Sequence, residues 1–287
     1  MTWTPSPMAR RIHGERLAVL GWGRAVLLQF AHPLVAAGVA EHSSFDEAPV
    51  EFLRRTYRTV HAMLGLTFGP EEKARAVAAR INAIHDRVHG KLAEPAGIFP
   101  AGLTYSARDP ELLRWVHATL IESALLSWDR FVEPLTAEEK DRYCAEASTV
   151  GPLLGVPSDL LPSTVGDLDA YMGRMYESGA IHVTRTARSL SARLLSPPLG
   201  PLGWPFVELV RLTAVGLLPA PVRTAYGFEW DASKERALQG VAALLRNTRR
   251  LVPAALREWP EGRTRQPPRA PRATSVLEKL VGRVSRG

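Results

Sequence analysis

Apolar residues recur at helical spacing along most of the chain. Between residues 49 and 66, apolar side chains follow one another at intervals of four and three residues, as on one face of a helix: Leu53, Tyr57, Val60 and Leu64. Comparable patterns predict further helices over 71–89, 109–131, 136–154, 165–195, 206–216 and 232–251. Short strand character is confined to residues 103–105. The pattern therefore predicts an all-α fold.

The most apolar stretch, residues 17–40, is long enough to span a bilayer. Arg24, Gln29, His32 and Pro33 interrupt it, and polar residues in the middle of a membrane are costly. A proline also breaks a helix, because it lacks an N–H donor and its ring clashes with the preceding turn. We therefore predict two buried helices that are broken near Pro33.

Charge is concentrated at the C-terminal end. The chain of 287 residues has a net charge of +7, and residues 259–287 contribute seven Arg or Lys against two Glu. This segment is rich in proline and polar residues, so we predict a flexible tail after one globular multi-helix domain over residues 10–258. The domain has no zinc-finger or RNA-binding motif, so we expect no nucleic-acid partner and only weak contact of the tail with a membrane surface.

Composition and the N-terminal residues narrow the class of protein further. Hydrophobic residues make up 46% of the chain, which is ample for a core, and the single cysteine, Cys144, excludes an intramolecular disulfide. The first residues, MTWTPSPMARRIHGER, contain no uninterrupted apolar run and no cleavage signal. We therefore expect a cytoplasmic protein, at most peripheral to a membrane.

Candidate chemistry begins with five of the seven histidines in the first 120 residues, which lie in the blocks AHPLVAAGVAEHS, INAIHDRVHG and ELLRWVHATL. Burying an imidazole without a hydrogen-bond partner costs on the order of 1–3 kcal/mol. One buried histidine is commonly structural, whereas several indicate a metal, a haem or an acid–base site. The blocks lack the motifs of serine hydrolases, P-loop proteins and dinucleotide-binding proteins, as well as the Glu-x-x-His pairs of di-iron proteins.

His85 and His89 are four residues apart on one predicted helix, which ends at Gly90. This spacing is that of zinc-binding H-E-x-x-H, but Asp86 replaces the Glu and no third ligand is evident. Two other interpretations remain: one inward and one exposed histidine, or His85 as a single axial ligand. His85 is predicted to face the core together with the apolar residues of this helix, Val77, Ile81, Ile84 and Val88.

Arg55 and Thr59 are one helical turn apart, so their side chains can face the same point. They would supply a fixed cation and a hydroxyl donor to a bound oxygen species or a carboxylate. The alternative is a surface Arg55 that pairs with Glu51 one turn earlier.

Three further polar residues lie within apolar sequence. His32, beside Pro33, is interpreted as a core histidine that bonds a carbonyl freed by the helix break. Glu41 is a candidate acid or base, or part of a polar cluster at a helix end. His117 either orients other site residues or donates to a neighbouring carbonyl.

Several blocks, in this order, resemble the MpaB / rubber oxygenase (latex clearing protein) catalytic-domain family over roughly residues 10–245. They are LLQFAHPLVAAGVAEHSSF, RRTYRT followed by FGPEE, IHDRVHG, YSARDPELLRWVHATL, LLGVPSDLLP and LLPAPVRTAYGFEW. The resemblance implies a globin-like helical core that holds a b-type haem. It also implies an oxygenase: the rubber oxygenases cleave the double bonds of polyisoprene with dioxygen, and the MpaB branch is tied to oxidative cleavage of an isoprenoid side chain.

The resemblance also implies roles for individual residues. His85 matches the proximal iron ligand, and Arg55 and Thr59 match an Arg-x-x-x-Thr pair near the distal haem pocket. His32, Glu41 and His117 fall in matching blocks where roles are less defined. We assign His32 and His117 to haem contact and Glu41 to proton transfer.

Departures from the family pattern change the expected substrate. The rubber oxygenase carries a Lys three positions after its Arg, where this chain has Arg58, a side chain that does not readily lose a proton to bind iron. We therefore expect the distal position to be open or to hold water. Because the chain lacks a secretion signal, we predict a small hydrophobic substrate, isoprenoid or alkene. The alternative function is a non-catalytic protein that binds haem or an apolar ligand.

Overall fold

The structure, a computed structural model, describes residues 7–42, 49–197 and 199–263. It is all-α, as predicted, with one two-stranded antiparallel sheet, β1 (His89–Lys91) and β2 (Thr104–Ser106), in which Gly90 lies opposite Tyr105. The α-helices are α1 (Pro7–Gly14), α2 (Trp22–Phe30), α3 (Pro33–His42), α4 (Pro49–Phe68), α5 (Glu71–His85), α6 (Pro110–Phe131), α7 (Ala137–Ala147), α8 (Val165–Glu177), α9 (Arg185–Leu195), α10 (Gly200–Gly216), α11 (Ala220–Tyr226), α12 (Ala232–Arg249) and α13 (Ala254–Arg257). Short 3₁₀ segments are Arg16–Gly21, Ser148–Leu154 and Ser158–Leu160.

Local sequence signals explain where several helices begin. Asp109 accepts a hydrogen bond from the Glu111 N–H at the start of α6, with Pro110 in the first turn. Thr136 and Glu139 form the predicted capping box of α7. These caps satisfy N–H groups that have no partner within the helix, so the starts of α6 and α7 are fixed by sequence.

The helix predicted over 71–89 is too long, and the prediction that it ends at Gly90 is wrong. α5 ends at His85, and His89 and Gly90 belong to β1. Pairing with β2 therefore takes precedence over the helical pattern, and His89 does not share a helix face with His85. Ile84, expected in the core, is 51% exposed, because α5 buries its small residues Ala74 and Ala78 instead.

Three other predicted boundaries also differ. The helix predicted over 165–195 is two helices, α8 and α9, separated by a segment in which Gly179 has φ +78 and Val183 is buried. The helix predicted over 136–154 continues beyond α7 only as a 3₁₀ segment. α10 begins at Gly200, within the predicted loop, because Pro201 occupies its first turn, where a missing N–H is tolerated.

The two predicted buried helices around Pro33 are confirmed as α2 and α3. Within the described residues, no single helix is long and apolar enough to cross a membrane. The pair Arg16–Phe30 and Pro33–His42 would suffice by length and composition, but it is bent by 102°. α2 packs against α6, α9 and α10, and its apolar residues share one core cluster with apolar side chains of these helices: Trp115, Trp128, Leu190 and Ala214.

A buried ion pair lies where α2 meets its neighbours. Arg24 is 1% exposed, and its guanidinium donates to Leu217 O, Ser123 Oγ and Glu122 Oε2, each at 2.7 Å. One side chain thus connects α2 with α6 and with the end of α10. A buried cation is tolerated only when paired and hydrogen-bonded, which this geometry provides.

Two glycines permit this close approach. A Cβ on Gly21 would lie 2.4 Å from Ser123 O, and a Cβ on Gly23 would lie 2.7 Å from the Ala214 Cβ. Any larger residue at either position would push α2 away from α6 or α10. The sequence Gly-Trp-Gly-Arg is therefore what allows Arg24 to reach its acceptors.

Replacing Arg24 with Met should lower the free energy of unfolding by about 3–5 kcal/mol, because the Glu122 carboxylate and the Leu217 carbonyl lose their partner. Urea unfolding followed by circular dichroism measures the change. The double variant Arg24→Met/Glu122→Leu should recover part of the loss, since it removes the uncompensated carboxylate. An Arg24→Met protein as stable as the parent would contradict this account.

Candidate functional site

α4 and α5 form an antiparallel hairpin that fixes the level of each candidate residue. A Cβ on Gly65 of α4 would lie 3.1 Å from Val77 Cγ2 of α5, so these two residues are level. Tyr57, eight residues before Gly65, is therefore level with His85, eight residues after Val77. Because a helix rises about 1.5 Å per residue, the backbones of Arg55 and Thr59 lie within about 3 Å of that level along α4. The hairpin thus brings three predicted site positions to one end.

His85 is half-buried at the last turn of α5, and its Nδ1 is buried without a hydrogen-bond partner among the described residues. Burial lowers the pKa of His85, as does the positive charge of Arg108, while Asp86 opposes the shift. The imidazole is therefore neutral at pH 7 and keeps a lone pair for a metal.

A polar frame holds the end of α5. Asn82 Nδ2 donates to Leu153 O at 2.9 Å, and Arg108 donates to Asn82 Oδ1 at 2.8 Å. The Arg108 guanidinium also lies 3.3 Å from Asp86 Oδ1. Sequence reasoning missed Asn82 and Arg108, although Asn82 lies three residues before His85 and therefore on the same helix face.

An apolar surface flanks His85. Tyr57, level with it on α4, is 63% exposed, and Ile84, its neighbour on α5, is 51% exposed. The His61 ring lies against Tyr57 with centroids 4.0 Å apart. Tyr57 and Ile84 are thus exposed apolar side chains near the level of His85 along the hairpin. Thr59 is exposed on α4. The side chains of Arg55 and of its predicted alternative partner Glu51 lie outside the part of the chain that the structure describes.

Glu41 lies at the C-terminal end of α3 against the sheet that follows His85. Tyr105 Oη donates to Glu41 Oε2 at 2.5 Å, and this contact and burial raise the pKa of Tyr105, so the phenol stays protonated. A Cβ on Gly90 would lie 2.5 Å from Tyr105 Oη and 2.8 Å from Glu41 Oε2, so the glycine makes room for the pair. The Glu41 carboxylate is thereby oriented at the end of α5.

An open groove of about 630 Å³ runs along one face of α3. Pro33, Ala37, Ala40 and Glu41 form one wall. The opposite wall consists of the loop after β1 and the start of α9, with the charged residues Glu94, Arg185 and Arg188. The small residues of α3 leave the groove wide, and Glu41 is its acid nearest to the sheet.

His32 and His117 lie outside the α4–α5 hairpin. His32 is 4% exposed and packs against Phe99 with ring centroids 5.1 Å apart; its Nδ1 has no partner among the described residues, so the expected carbonyl bond is not seen at that nitrogen. The His117 Nε2 atom lies 3.2 Å from Ala147 O, in keeping with the prediction that His117 contacts a neighbouring carbonyl. His117 lines a small open pocket of about 90 Å³ together with Met63 and Thr67, which are one and a half to three turns along α4 from Tyr57.

No group of three or more His, Cys, Asp or Glu side chains that could hold a metal ion occurs within residues 7–42, 49–197 and 199–263. An iron atom bound at His85 would therefore take at most one further ligand from these side-chain types within the described residues. The zinc interpretation of His85 and His89 is wrong in its geometry, since the two residues are not on one helix.

Comparison with known proteins gives a family model and two relatives that match most of the chain. A family model described as "ER-bound oxygenase mpaB/B'/Rubber oxygenase, catalytic domain" matches residues 10–247. Two uncharacterized mycobacterial proteins, from Mycobacterium bovis and Mycobacterium tuberculosis, are each 26% identical to the chain over 233 residues, which is 79% of this chain and 87% of theirs. No solved structure matches.

The buried histidines predict a pH dependence of stability. Burial lowers the pKa of His13, His32 and His117 from 6.5 to about 4. Between these values the unfolded chain binds more protons than the folded one. Above about pH 6.5 these histidines therefore do not reduce the free energy of unfolding. As the pH is lowered toward 4, the free energy of unfolding falls by up to about 1.4 kcal/mol per pH unit for each histidine.

Urea unfolding of the parent and of His117→Asn between pH 7.5 and 4.5 measures this dependence. The variant should have a shallower slope below pH 6.5, because one titrating group is removed, and a parallel profile above it. Equal slopes below pH 6.5 would show that His117 takes up a proton in the folded protein as readily as in the unfolded chain.

Proposed function

Because the chain belongs to the family of mpaB and rubber oxygenase catalytic domains, which are oxygenases, we propose that it is a haem b-dependent oxygenase. It would use dioxygen on a small hydrophobic substrate, an isoprenoid or another alkene. The observation that carries this proposal is His85: a neutral, half-buried imidazole with an unpartnered buried nitrogen, at the end of the α4–α5 hairpin.

The residues around His85 fit a haem. His85 would hold the iron, its neutral ring keeps a lone pair, and Tyr57 and Ile84 are exposed apolar side chains near its level along the hairpin. A bound haem would supply the activation of dioxygen and the redox chemistry. The protein would supply the axial ligand, the apolar surroundings and access for the substrate.

Arg55 and Thr59 would act from α4, near the level of His85. A guanidinium binds carboxylates through paired hydrogen bonds, so Arg55 can hold a haem propionate or orient a polarised oxygen atom. The Thr59 hydroxyl can donate to the same group. Arg58, which replaces the lysine of the rubber oxygenase, keeps its proton, so it would not occupy an axial position.

Glu41 would serve as the base. Its Oε2 accepts the Tyr105 hydroxyl, which orients the carboxylate and leaves Oε1 to accept a proton from a substrate or a water molecule. Tyr105 is a positioning residue in this account, because it acts on the substrate only through Glu41.

The groove along α3 would bind the substrate. Its volume of about 630 Å³ lies within the range of roughly 300–1,000 Å³ typical of small-molecule sites. Pro33, Ala37 and Ala40 give one wall an apolar surface that suits an isoprenoid chain, and Glu41 lies on the same wall.

The second candidate is a non-catalytic haem or apolar-ligand binding protein. His61, on the same helix as Thr59 and with its ring tilted by 52° against the Tyr57 ring, favours it, because a second histidine on this hairpin could also hold the haem. Such a protein would bind haem and leave alkenes unchanged.

Replacing His85 with Ala should abolish the Soret band of the purified, haem-supplemented protein, because the variant loses the axial ligand. Absorption spectra of the oxidised and reduced proteins, with iron analysis, measure this. His182→Ala, an exposed histidine outside the hairpin, is the matched control and should retain the band. An unchanged Soret band in His85→Ala would contradict the assignment of the ligand.

Replacing Glu41 with Gln should leave haem content unchanged and lower oxygen uptake with short isoprenoid alkenes by about 10²–10⁴-fold, the usual contribution of a general base. Glu94→Gln, which alters another acid of the same groove, is the matched control and should keep most of the activity. Equal activity in Glu41→Gln and the parent would remove Glu41 from the mechanism.

A further inference from the structure

The start of α10 exposes large apolar side chains. Leu202 is fully exposed, Trp204 is 71% exposed and Phe206 is 55% exposed. Apolar residues of this size are rarely exposed together on a soluble protein without a binding partner.

The link between α12 and α13 exposes a second apolar group, with Leu251 82% exposed, Val252 37% and Leu256 65%. α10 and α12 are antiparallel: Gly216 packs against Leu238, since a Cβ on the glycine would lie 2.7 Å from Leu238 Cδ2. Leu202 is fourteen residues before Gly216, and Val252 is fourteen residues after Leu238. The two groups therefore lie at the same end of the α10–α12 pair.

These six residues are called the apolar tip: Leu202, Trp204, Phe206, Leu251, Val252 and Leu256. A Trp and a Phe with several aliphatic side chains are typical of a surface that enters the interface of a bilayer. Such a surface buries its side chains only to the depth of the headgroups, so it needs no helix that spans the membrane.

Basic residues border the apolar tip. Arg250 and Arg263 are exposed beside it, whereas Glu208 is paired with Arg211 at 3.2 Å and Glu258 with Arg257 at 3.6 Å. Glu261 is a further acid at this end, and no ion pair is seen for it within residues 199–263. The chain continues from Arg263 into residues 264–287, which add six basic residues and one Glu. The tip and its continuation thus combine apolar surface with positive charge.

We propose that the apolar tip docks on an anionic lipid bilayer, with the basic residues around and after it held by lipid phosphates and carboxylates. Each basic residue near a negative membrane surface contributes about a fivefold gain in binding. A second copy fits less well, because a two-fold contact through this tip would bring two strongly basic C-terminal segments together. The inference does not depend on the oxygenase proposal, although a membrane would concentrate an apolar substrate near the protein.

Flotation of the full-length protein with vesicles tests the apolar part. The parent should bind vesicles that contain phosphatidylglycerol far better than vesicles of phosphatidylcholine alone. Leu202→Ser/Trp204→Ser/Phe206→Ser should bind at least about tenfold more weakly, because three inserting side chains are removed. Ile98→Ser is the matched control, since Ile98 is 60% exposed but lies in the loop after β1, and it should bind like the parent.

The charge is tested with Arg265→Gln/Arg269→Gln/Arg272→Gln, which should weaken binding to the anionic vesicles by roughly tenfold to a hundredfold. Thermal unfolding of each variant checks that the fold is retained, and the single variant Trp204→Ser provides a milder substitution. The proposal is overturned if the parent does not float with anionic vesicles, or if the triple serine variant binds as tightly as the parent. If the parent forms a dimer that the triple serine variant does not form, the tip contacts a second copy of the chain. If the parent binds RNA tightly and does not bind vesicles, its positive charge serves nucleic-acid binding. Either result overturns the proposal.

Discussion

The close approach of α2 to α6 and α10 is the constraint on which the rest of the structure depends. Gly21 and Gly23 remove the side chains that would keep the helices apart, and Arg24 then reaches acceptors on α6 and after α10. A buried guanidinium with three acceptors tolerates little displacement, because each lost hydrogen bond leaves a buried polar group without a partner. α6 is thereby fixed as the central helix of the core.

The position of α6 determines the geometry of the candidate site. Asp109 caps the start of α6, and Arg108 precedes it in the chain. The Arg108 guanidinium donates to Asn82 and lies beside Asp86 at the end of α5. The same arginine adds to the burial that keeps His85 neutral. A contact network thus runs from the buried core to the candidate ligand.

Sequence reasoning predicted the helices whose signals are local. The starts of α6 and α7 are set by residues close together in the chain: Asp109 with Pro110, and Thr136 with Glu139 three positions later. Both helices could therefore be located from the sequence. His89, Gly90 and Ile84 were misplaced, because strand pairing and the choice of Ala74 and Ala78 as the buried face depend on distant residues. Asn82 and Arg108 were missed for the same reason: their partners, Leu153 and Asn82, are far away in the chain.

The proposed function depends on one bond, between an iron atom and a ring nitrogen of His85. A crystal structure of the haem-loaded protein would test this bond most directly. The account predicts haem against the α4–α5 hairpin, with His85 as an axial ligand and Tyr57 and Ile84 covered by the ring. Iron ligated by His117 or His32, or haem bound elsewhere with the His85 nitrogen still unpartnered, would contradict it.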